Sequence, residues 1–176
     1  EKSNLNRQIL FNLKNIGHKK VKIAKEKLEL INTECKIDIV DSNIDSKNIV
    51  SLSNCTIIVD ATDDWKTSNL LNEYCVSNSI NFLYSSVVAH DLQIILFDNN
   101  KNKKHVCLKC LFPNENDVDL PRCETVGISG ISAGLAGLIT AQKIINFSLD
   151  LRDEANILTI SDGKKLTIEN IIVKSK

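Results

Sequence analysis

The segment that most constrains the fold is residues 56–63, with the sequence TIIVDATD. Its first four residues form a β-branched run, which is typical of a strand buried on both faces of a parallel sheet. Residues 60–63 end this run abruptly, and helix-like spacing follows over residues 64–78 before the strand-like NFLYSSVV of residues 81–88. Strand, helix and strand in this order predict a right-handed βαβ unit. The sequence therefore predicts an α/β fold with a Rossmann-like three-layer sheet.

The remaining segments fit a single domain over residues 1–176. Apolar spacing predicts a helix that starts near Gly17 and carries Lys20 in its first turn. We expect further strands at residues 36–44 and 92–98, and a Gly/Ala-rich helix from about residue 127 to 147. A turn at Asp162-Gly163 predicts a C-terminal β-hairpin. Polar residues at 101–124 indicate a loop or crossover segment.

Composition excludes several classes of function. The 176 residues are 43% hydrophobic and 25% charged with zero net charge, so neither nucleic acid nor a membrane surface is an expected partner. The N-terminus lacks the apolar region of a signal peptide, and the longest weakly polar run, residues 126–141, is too short to span a bilayer comfortably. Six scattered cysteines do not resemble a secreted disulfide scaffold, so we expect a cytoplasmic protein.

Several side chains could carry chemistry. Asp60 and Asp63 follow the buried strand directly, at the edge where open α/β sheets bind ligands. Two carboxylates at this place could hold Mg²⁺, act as an acid/base pair, or cap the next helix. Arg7 offers a planar fork suited to phosphate, and Lys20 offers a compact positive charge. We expect the apolar residues Ile9, Leu10 and Phe11 to anchor the polar residues around Arg7 to a core. On composition alone Lys20 reads as one of several solvated lysines on a helix face.

An ordered series of motifs runs along almost the whole chain: SNLNRQILF, IGHKK, VDATDD, CLKC, and CETVG before a Gly/Ala-rich helix. This series resembles the adenylating enzymes of ubiquitin-like proteins, the group of ThiF, HesA and the molybdopterin-synthase adenylyltransferases, which is related to ubiquitin-activating enzymes. The resemblance implies that ATP and Mg²⁺ are used to adenylate the C-terminal Gly of a sulfur carrier ending in Gly-Gly. The products would be an acyl-adenylate and pyrophosphate. Since the attacking carboxylate is already ionised at pH 7, no general base is needed.

The resemblance also implies roles for individual residues. Ser3, Asn4 and Arg7 match nucleotide and phosphate contacts, Lys20 matches a phosphate lysine, and Asp63 matches an Mg²⁺-linked aspartate; Asp64 stands beside the phosphates where relatives usually have Asn. The family's Gly-rich phosphate loop and its ribose-binding acidic residue lie upstream of SNLxRQ, and neither is in this sequence. We expect the protein to be a homodimer, as the resemblance implies. A silent interaction module of the same fold is the alternative.

Three cysteines are candidates for reactivity or metal binding. Cys107 and Cys110 have the spacing of a zinc half-site, with a thioredoxin-like redox pair as the rival interpretation. The second CxxC, which the resemblance places after the last strand, is not in the sequence. Cys123 precedes the Gly/Ala-rich helix, whose N-terminus would lower a thiol pKa. The resemblance gives Cys123 a role on the crossover segment, whereas a small structural thiol is the alternative.

Overall fold

The computed structural model describes residues 1–99, 106–113, 127–151 and 155–174. The chain divides into two compact units, residues 1–43 and 44–176. The first unit contains short 3₁₀ turns at Lys2–Asn4 and Leu13–Asn15 and helix α1 at Lys20–Ile31. Helix α1 begins at Lys20, three residues after the start that the spacing predicts near Gly17, and Lys20 lies in its first turn as expected.

The second unit is built on a five-stranded sheet in the order β1-β2-β3-β4-β5. Its strands are β1 (Ile57–Asp60), β2 (Asn81–Val88), β3 (Asp91–Phe97), β4 (Ile157–Asp162) and β5 (Thr167–Ile172). A 3₁₀ turn at Ile49–Leu52 precedes the sheet, and its helices are α2 (Trp65–Asn78), α3 (Leu108–Leu111) and α4 (Gly130–Ser148). Strand β1 pairs with β2 in parallel, and every later pair is antiparallel. The predicted βαβ unit and C-terminal hairpin are both confirmed.

Helices cover both faces of this sheet, which confirms the three layers. Strand β2 supplies both cores because its side chains alternate: Phe82 and Tyr84 join the core beneath α2, whereas Leu83 joins the core beneath α4. Leu71 and Cys75 bring α2 into the first core, and Ala136 and Phe147 bring α4 into the second. The expectation that β1 is buried on both faces is wrong at Val59, whose side chain is 38% exposed, whereas Ile58 on the other face of the strand is buried.

Two further expectations about apolar residues are wrong. Residues 36–44 alternate like a strand but form none, because alternation sets only the direction of side chains while a strand also needs a hydrogen-bonded neighbour. Ile39 and Val40 are exposed there. Ile9 does not anchor the neighbouring polar residues either, since its side chain is 96% exposed.

Helix α4 has an outward face that is apolar rather than polar. Its Ile131, Leu138, Ile145 and Leu149 are each more than half exposed and recur at helical spacing. None of the helices that the structure describes is both long and apolar enough to cross a membrane.

The turn of the C-terminal hairpin packs against the β2–β3 turn. Gly163 donates its N–H to the Asp91 carboxylate at 3.3 Å, and the Ser132 hydroxyl of α4 donates to the His90 carbonyl at 2.8 Å. A Cβ built on Gly163 would collide with that carbonyl oxygen. Glycine at this position therefore permits the close approach of two backbones.

Replacing Gly163 by Ala should lower the free energy of unfolding by about 1–3 kcal/mol, because backbone must move to admit the methyl group. Lys164→Ala, at the next residue of the same turn, is the control, since the Lys164 side chain is exposed and makes no ion pair with the described residues. The control should change the free energy of unfolding by no more than about 0.5 kcal/mol. Urea unfolding measures both, and equal midpoints for the two variants would contradict this packing of the two turns.

Candidate functional site

Arg7 is held on its own turn by neighbouring residues of the first unit. Its Nη1 donates to the Ser3 carbonyl at 3.2 Å and to Asn6 Oδ1 at 3.0 Å, and its Nη2 donates to Asn4 Oδ1 at 2.8 Å. Three of the five guanidinium N–H groups are thus used, and the other two find no acceptor among the described residues. The structure brings Ser3, Asn4 and Arg7 together, as the motif predicts. The Arg7 guanidinium is held in place and keeps two N–H donors that the described residues do not use.

Lys20 differs from the lysines beside it. Lys19 and Lys22 both pair with Asp41, at 3.2 and 3.9 Å, whereas Lys20 makes no ion pair with a described residue. Its side chain is exposed at the first position of α1. Of these three lysines, Lys20 is the one without an ion pair among the described residues.

A shallow, open concavity lies beside Lys20 within the first unit. Leu5 and Phe11 form part of its apolar lining, and Gln8, His18 and Lys20 form part of its polar lining. Arg7 is not in the lining, although Gln8 of the same motif is. The motif SNLNRQILF therefore contributes to one wall of a cleft that Lys20 also borders.

In the second unit, Asp60 ends strand β1 and is 1% exposed. Its Oδ1 accepts both the backbone N–H of Thr62, at 2.9 Å, and the Thr62 hydroxyl, at 2.8 Å. Its Oδ2 is buried and has no hydrogen-bond partner among the described residues. The spacing Asp-x-Thr is typical of an Asx turn, in which the Asp side chain accepts a hydrogen bond from the backbone two residues later. This signal is visible in the sequence, but the role of Thr62 was not predicted from it.

The two carboxylates that follow have different surroundings. Asp64 caps α2, because its Oδ2 accepts the Thr67 N–H at 3.0 Å and the Thr67 hydroxyl at 2.5 Å. These bonds, with that of the hydroxyl foremost, hold the pKa of Asp64 below its ordinary value. Asp63 is exposed and makes no hydrogen bond or ion pair with the described residues. The cap interpretation thus holds for Asp64, and Asp63 keeps a carboxylate that none of the described side chains engages.

The cysteine pair of CLKC lies at the start of α3. The Cys107 and Cys110 sulfurs are 3.7 Å apart, and burial raises the pKa of the Cys107 thiol. Helix α3 is docked on α2 by a buried hydrogen bond from Leu108 N to Asn72 Oδ1 at 2.9 Å. Among the residues that the structure describes, no third cysteine, histidine or carboxylate completes a metal-binding group with them.

Phe112, just after α3, packs against two aromatic residues that lie next to residues 60–64, which we call the carboxylate loop. Its ring lies 5.6 Å from that of Trp65 and 6.2 Å from that of Tyr84, both in edge-on geometry. Trp65 follows Asp64 directly, and Tyr84 is the β2 partner of Asp60. This aromatic cluster was not predicted, because the sequence alone does not bring residues 65, 84 and 112 together. Cys123 and most of the expected crossover segment lie outside the described residues.

Comparison with known proteins identifies the family. The family model described as ThiF matches residues 1–176, the whole of the sequence. The chain belongs to the ThiF family. This fits the unpaired cationic and acidic groups found at the positions of the family's motifs.

Relatives and solved structures agree with this assignment. A probable molybdopterin-synthase adenylyltransferase of Gracilaria tenuistipitata var. liui is 27% identical over 158 residues, covering 89% of this chain and 43% of that protein. The sulfur carrier protein ThiS adenylyltransferase of Escherichia coli is 24% identical over 163 residues, covering 92% and 64%. The crystal structure of E. coli MccB with ATP matches at a TM-score of 0.79 and 19% identity, covering 99% and 54%, and shows a shared fold. The chain thus spans about half to two thirds of the length of these proteins.

Asp64→Ala should lower the free energy of unfolding by about 1 kcal/mol at pH 7, the usual loss for a helix N-cap, whereas Asp64→Asn should retain most of it. Because the pKa of Asp64 is lowered in the folded state, its contribution is complete above the unfolded value, about 3.9, and is lost as the pH falls through the lowered value. Denaturant unfolding from pH 7 towards pH 2 should show the gap to Asp64→Ala narrowing. Asp38→Ala, which removes one exposed ion pair, is the control and should change little. A gap that stays constant with pH would contradict the cap.

Proposed function

We propose that the protein containing this chain adenylates the C-terminal Gly of a ubiquitin-like sulfur carrier, using Mg²⁺ and ATP and releasing pyrophosphate. The observation that carries the proposal is selective pairing around the motif residues. Lys20 and Asp63 are left without ion pairs among the described residues, while Lys19, Lys22 and Asp64 are used structurally. A ligand can engage such groups without breaking an existing ion pair, and here they coincide with the positions of the family's motifs.

The first unit suits a nucleotide phosphate. Arg7 offers two remaining donors in a fixed plane, a geometry that favours bidentate contact with phosphate oxygens. Lys20 borders a concavity with mostly apolar and amide-bearing lining, to which Lys20 adds a positive charge and Glu1 a negative one. We assign Ser3 and Asn4 to holding Arg7 in place, and Arg7 and Lys20 to binding and orienting the phosphates. Fixed positive charge also stabilises the negative charge that develops during nucleotidyl transfer.

Asp63 suits Mg²⁺ because its carboxylate oxygens are accessible and unengaged by the described residues, and hard oxygen donors are what this ion prefers. Mg²⁺, when bound, would neutralise charge on the phosphates. Asp64 lies beside it, but its Oδ2 already caps α2, so we assign it a supporting role. Neither carboxylate needs to move a proton, since the attacking group is itself a carboxylate that is ionised at neutral pH.

A sulfur carrier is the proposed partner because relatives are named for this class of substrate. One is the sulfur carrier protein adenylyltransferase of Thermus thermophilus, 24% identical, and another is the SAMP-activating enzyme E1 of Haloferax volcanii, 25% identical. Cys123, which we propose as a reactive thiol on the crossover segment, lies outside the described residues. All five described cysteines are free thiols, which supports the proposed cytoplasmic location.

We also propose a structural zinc ion on Cys107 and Cys110. Two thiolates on one tetrahedral zinc, each with a bond of about 2.3 Å, stand about 3.8 Å apart, and the observed separation is 3.7 Å. The pair can thus supply two of the four ligands. Metal analysis of the complete protein should find one zinc per chain, and Cys110→Ser should lose it. Cys55→Ser, at an exposed thiol, is the control. A zinc-free wild type would refute the site.

A homodimer is supported by the apolar outer face of α4. Leu138 is 72% exposed near its centre, and Gly134 and Gly137 beside it leave room for a second helix to approach. Sedimentation of the complete protein should therefore show a dimer that Leu138→Glu dissociates. Leu30→Glu, at a leucine of α1 that is 84% exposed, should leave the dimer intact. If both variants sediment as the wild type does, the α4 face is not the interface.

Carrier-stimulated exchange of pyrophosphate into ATP tests the main proposal in the complete protein. Arg7→Ala and Lys20→Ala should each slow exchange by about 30- to 1,000-fold, equivalent to about 2–4 kcal/mol of transition-state stabilisation. Lys19→Ala is the matched control, since Lys19 already pairs with Asp41. Exchange that survives Arg7→Ala and Lys20→Ala unchanged would exclude these assignments. A wild type that binds the carrier without any exchange would instead favour the silent interaction module.

A further inference from the structure

We propose that Asp60 and Thr62 are positioning residues whose task is to hold the Asp63 carboxylate in place for a divalent cation. The consequence for catalysis rests on the proposed function, but the positioning itself does not. Both flanks of Asp63 are fixed by hydrogen bonds, while its own side chain makes none to the described residues.

The flank before Asp63 is fixed from the sheet. Asp60 is 1% exposed and its backbone is paired with Tyr84 in the β1–β2 ladder. From this anchored position, Asp60 Oδ1 accepts two hydrogen bonds from Thr62, one from the main chain and one from the hydroxyl. The residue immediately before Asp63 is therefore held at both its backbone and its side chain.

The flank after Asp63 is fixed from helix α2. Asp64 accepts the N–H and the hydroxyl of Thr67, and its carbonyl accepts the Ser68 N–H at 3.0 Å. Asp63 thus stands between two anchored residues and makes no bond of its own to the described residues. A ligand residue whose neighbours are already anchored loses less entropy when an ion binds, since little more than its own side chain remains to be ordered.

The second oxygen of Asp60 supports the same conclusion. Oδ2 is buried without a hydrogen-bond partner among the described residues, which is costly for a carboxylate. Three carboxylates within residues 60–64 also repel one another. A divalent cation bound in this loop would reduce the repulsion, and its positive charge would also favour the buried, unpaired oxygen of Asp60.

The experiment uses Mn²⁺ alone as the probe, because its unpaired electrons broaden NMR signals near the bound ion. In the complete protein, Mn²⁺ should broaden the backbone amides of residues 61–64. Thr62→Val keeps the side-chain shape but removes the hydroxyl, so the Mn²⁺ concentration for half-maximal broadening should rise about fivefold, the usual effect of one hydrogen bond. Thr62→Ser should restore the wild-type value. Thr56→Val is the control, since that exposed threonine at the other end of the strand has no side-chain bond to the described residues.

The outcomes separate this proposal from the proposed function. Weaker Mn²⁺ binding in Thr62→Val with rescue by Thr62→Ser supports positioning, even if the wild type shows no pyrophosphate exchange. Where exchange occurs, Thr62→Val should raise the Mg²⁺ requirement and leave the KM for ATP unchanged. Unchanged Mn²⁺ binding in Thr62→Val, equal losses in Thr62→Val and Thr62→Ser, or no broadening of residues 61–64 in the wild type would each overturn the proposal. Each of these three results is compatible with normal pyrophosphate exchange, so the proposed function can stand where the positioning proposal fails.

Discussion

The parallel pairing of β1 with β2 is the constraint on which the second unit depends. A right-handed crossover between these parallel strands places α2 on one face of the sheet, and α4 covers the opposite face. The pairing also sets Asp60 opposite Tyr84 at the end of the ladder. Because Tyr84 contacts Phe112, this same register links the carboxylate loop to the segment that follows the cysteine pair. A shift of one residue in this register would move the side chains of β2 to the opposite faces of the sheet, so that each would face the wrong core.

Around the motif residues, adjacent side chains of the same type differ in whether they have a partner among the described residues. Lys19 and Lys20 are adjacent and chemically identical, yet Lys19 pairs with Asp41 and Lys20 pairs with no described residue. Asp63 and Asp64 are likewise adjacent, and of the two only Asp64 closes the end of a helix. Asp suits position 64 as well as Asn would, because both residues are favoured N-caps.

Much of the second unit could be predicted because its patterns match local rules. Leu71 and Cys75 recur at helical spacing and are buried, and the turn at Asp162 and Gly163 joins two alternating strands. The strand expected at residues 36–44 shows where this reasoning fails. Its alternation is genuine, but pairing is decided by which strand lies alongside, and no local pattern specifies that.

By itself, the sequence determined the secondary structure around the buried strand, the family motifs, and the residue types able to bind phosphate and Mg²⁺. These follow from periodicity and from the chemistry of single side chains, which act over a few residues. The tertiary structure alone decided which of several equivalent charges the described residues leave unpaired, that Asp60 is buried with one unpaired oxygen, and that Trp65, Tyr84 and Phe112 meet. These facts depend on contacts between residues distant in the chain, and such contacts are fixed only when the sheet and its two cores form together.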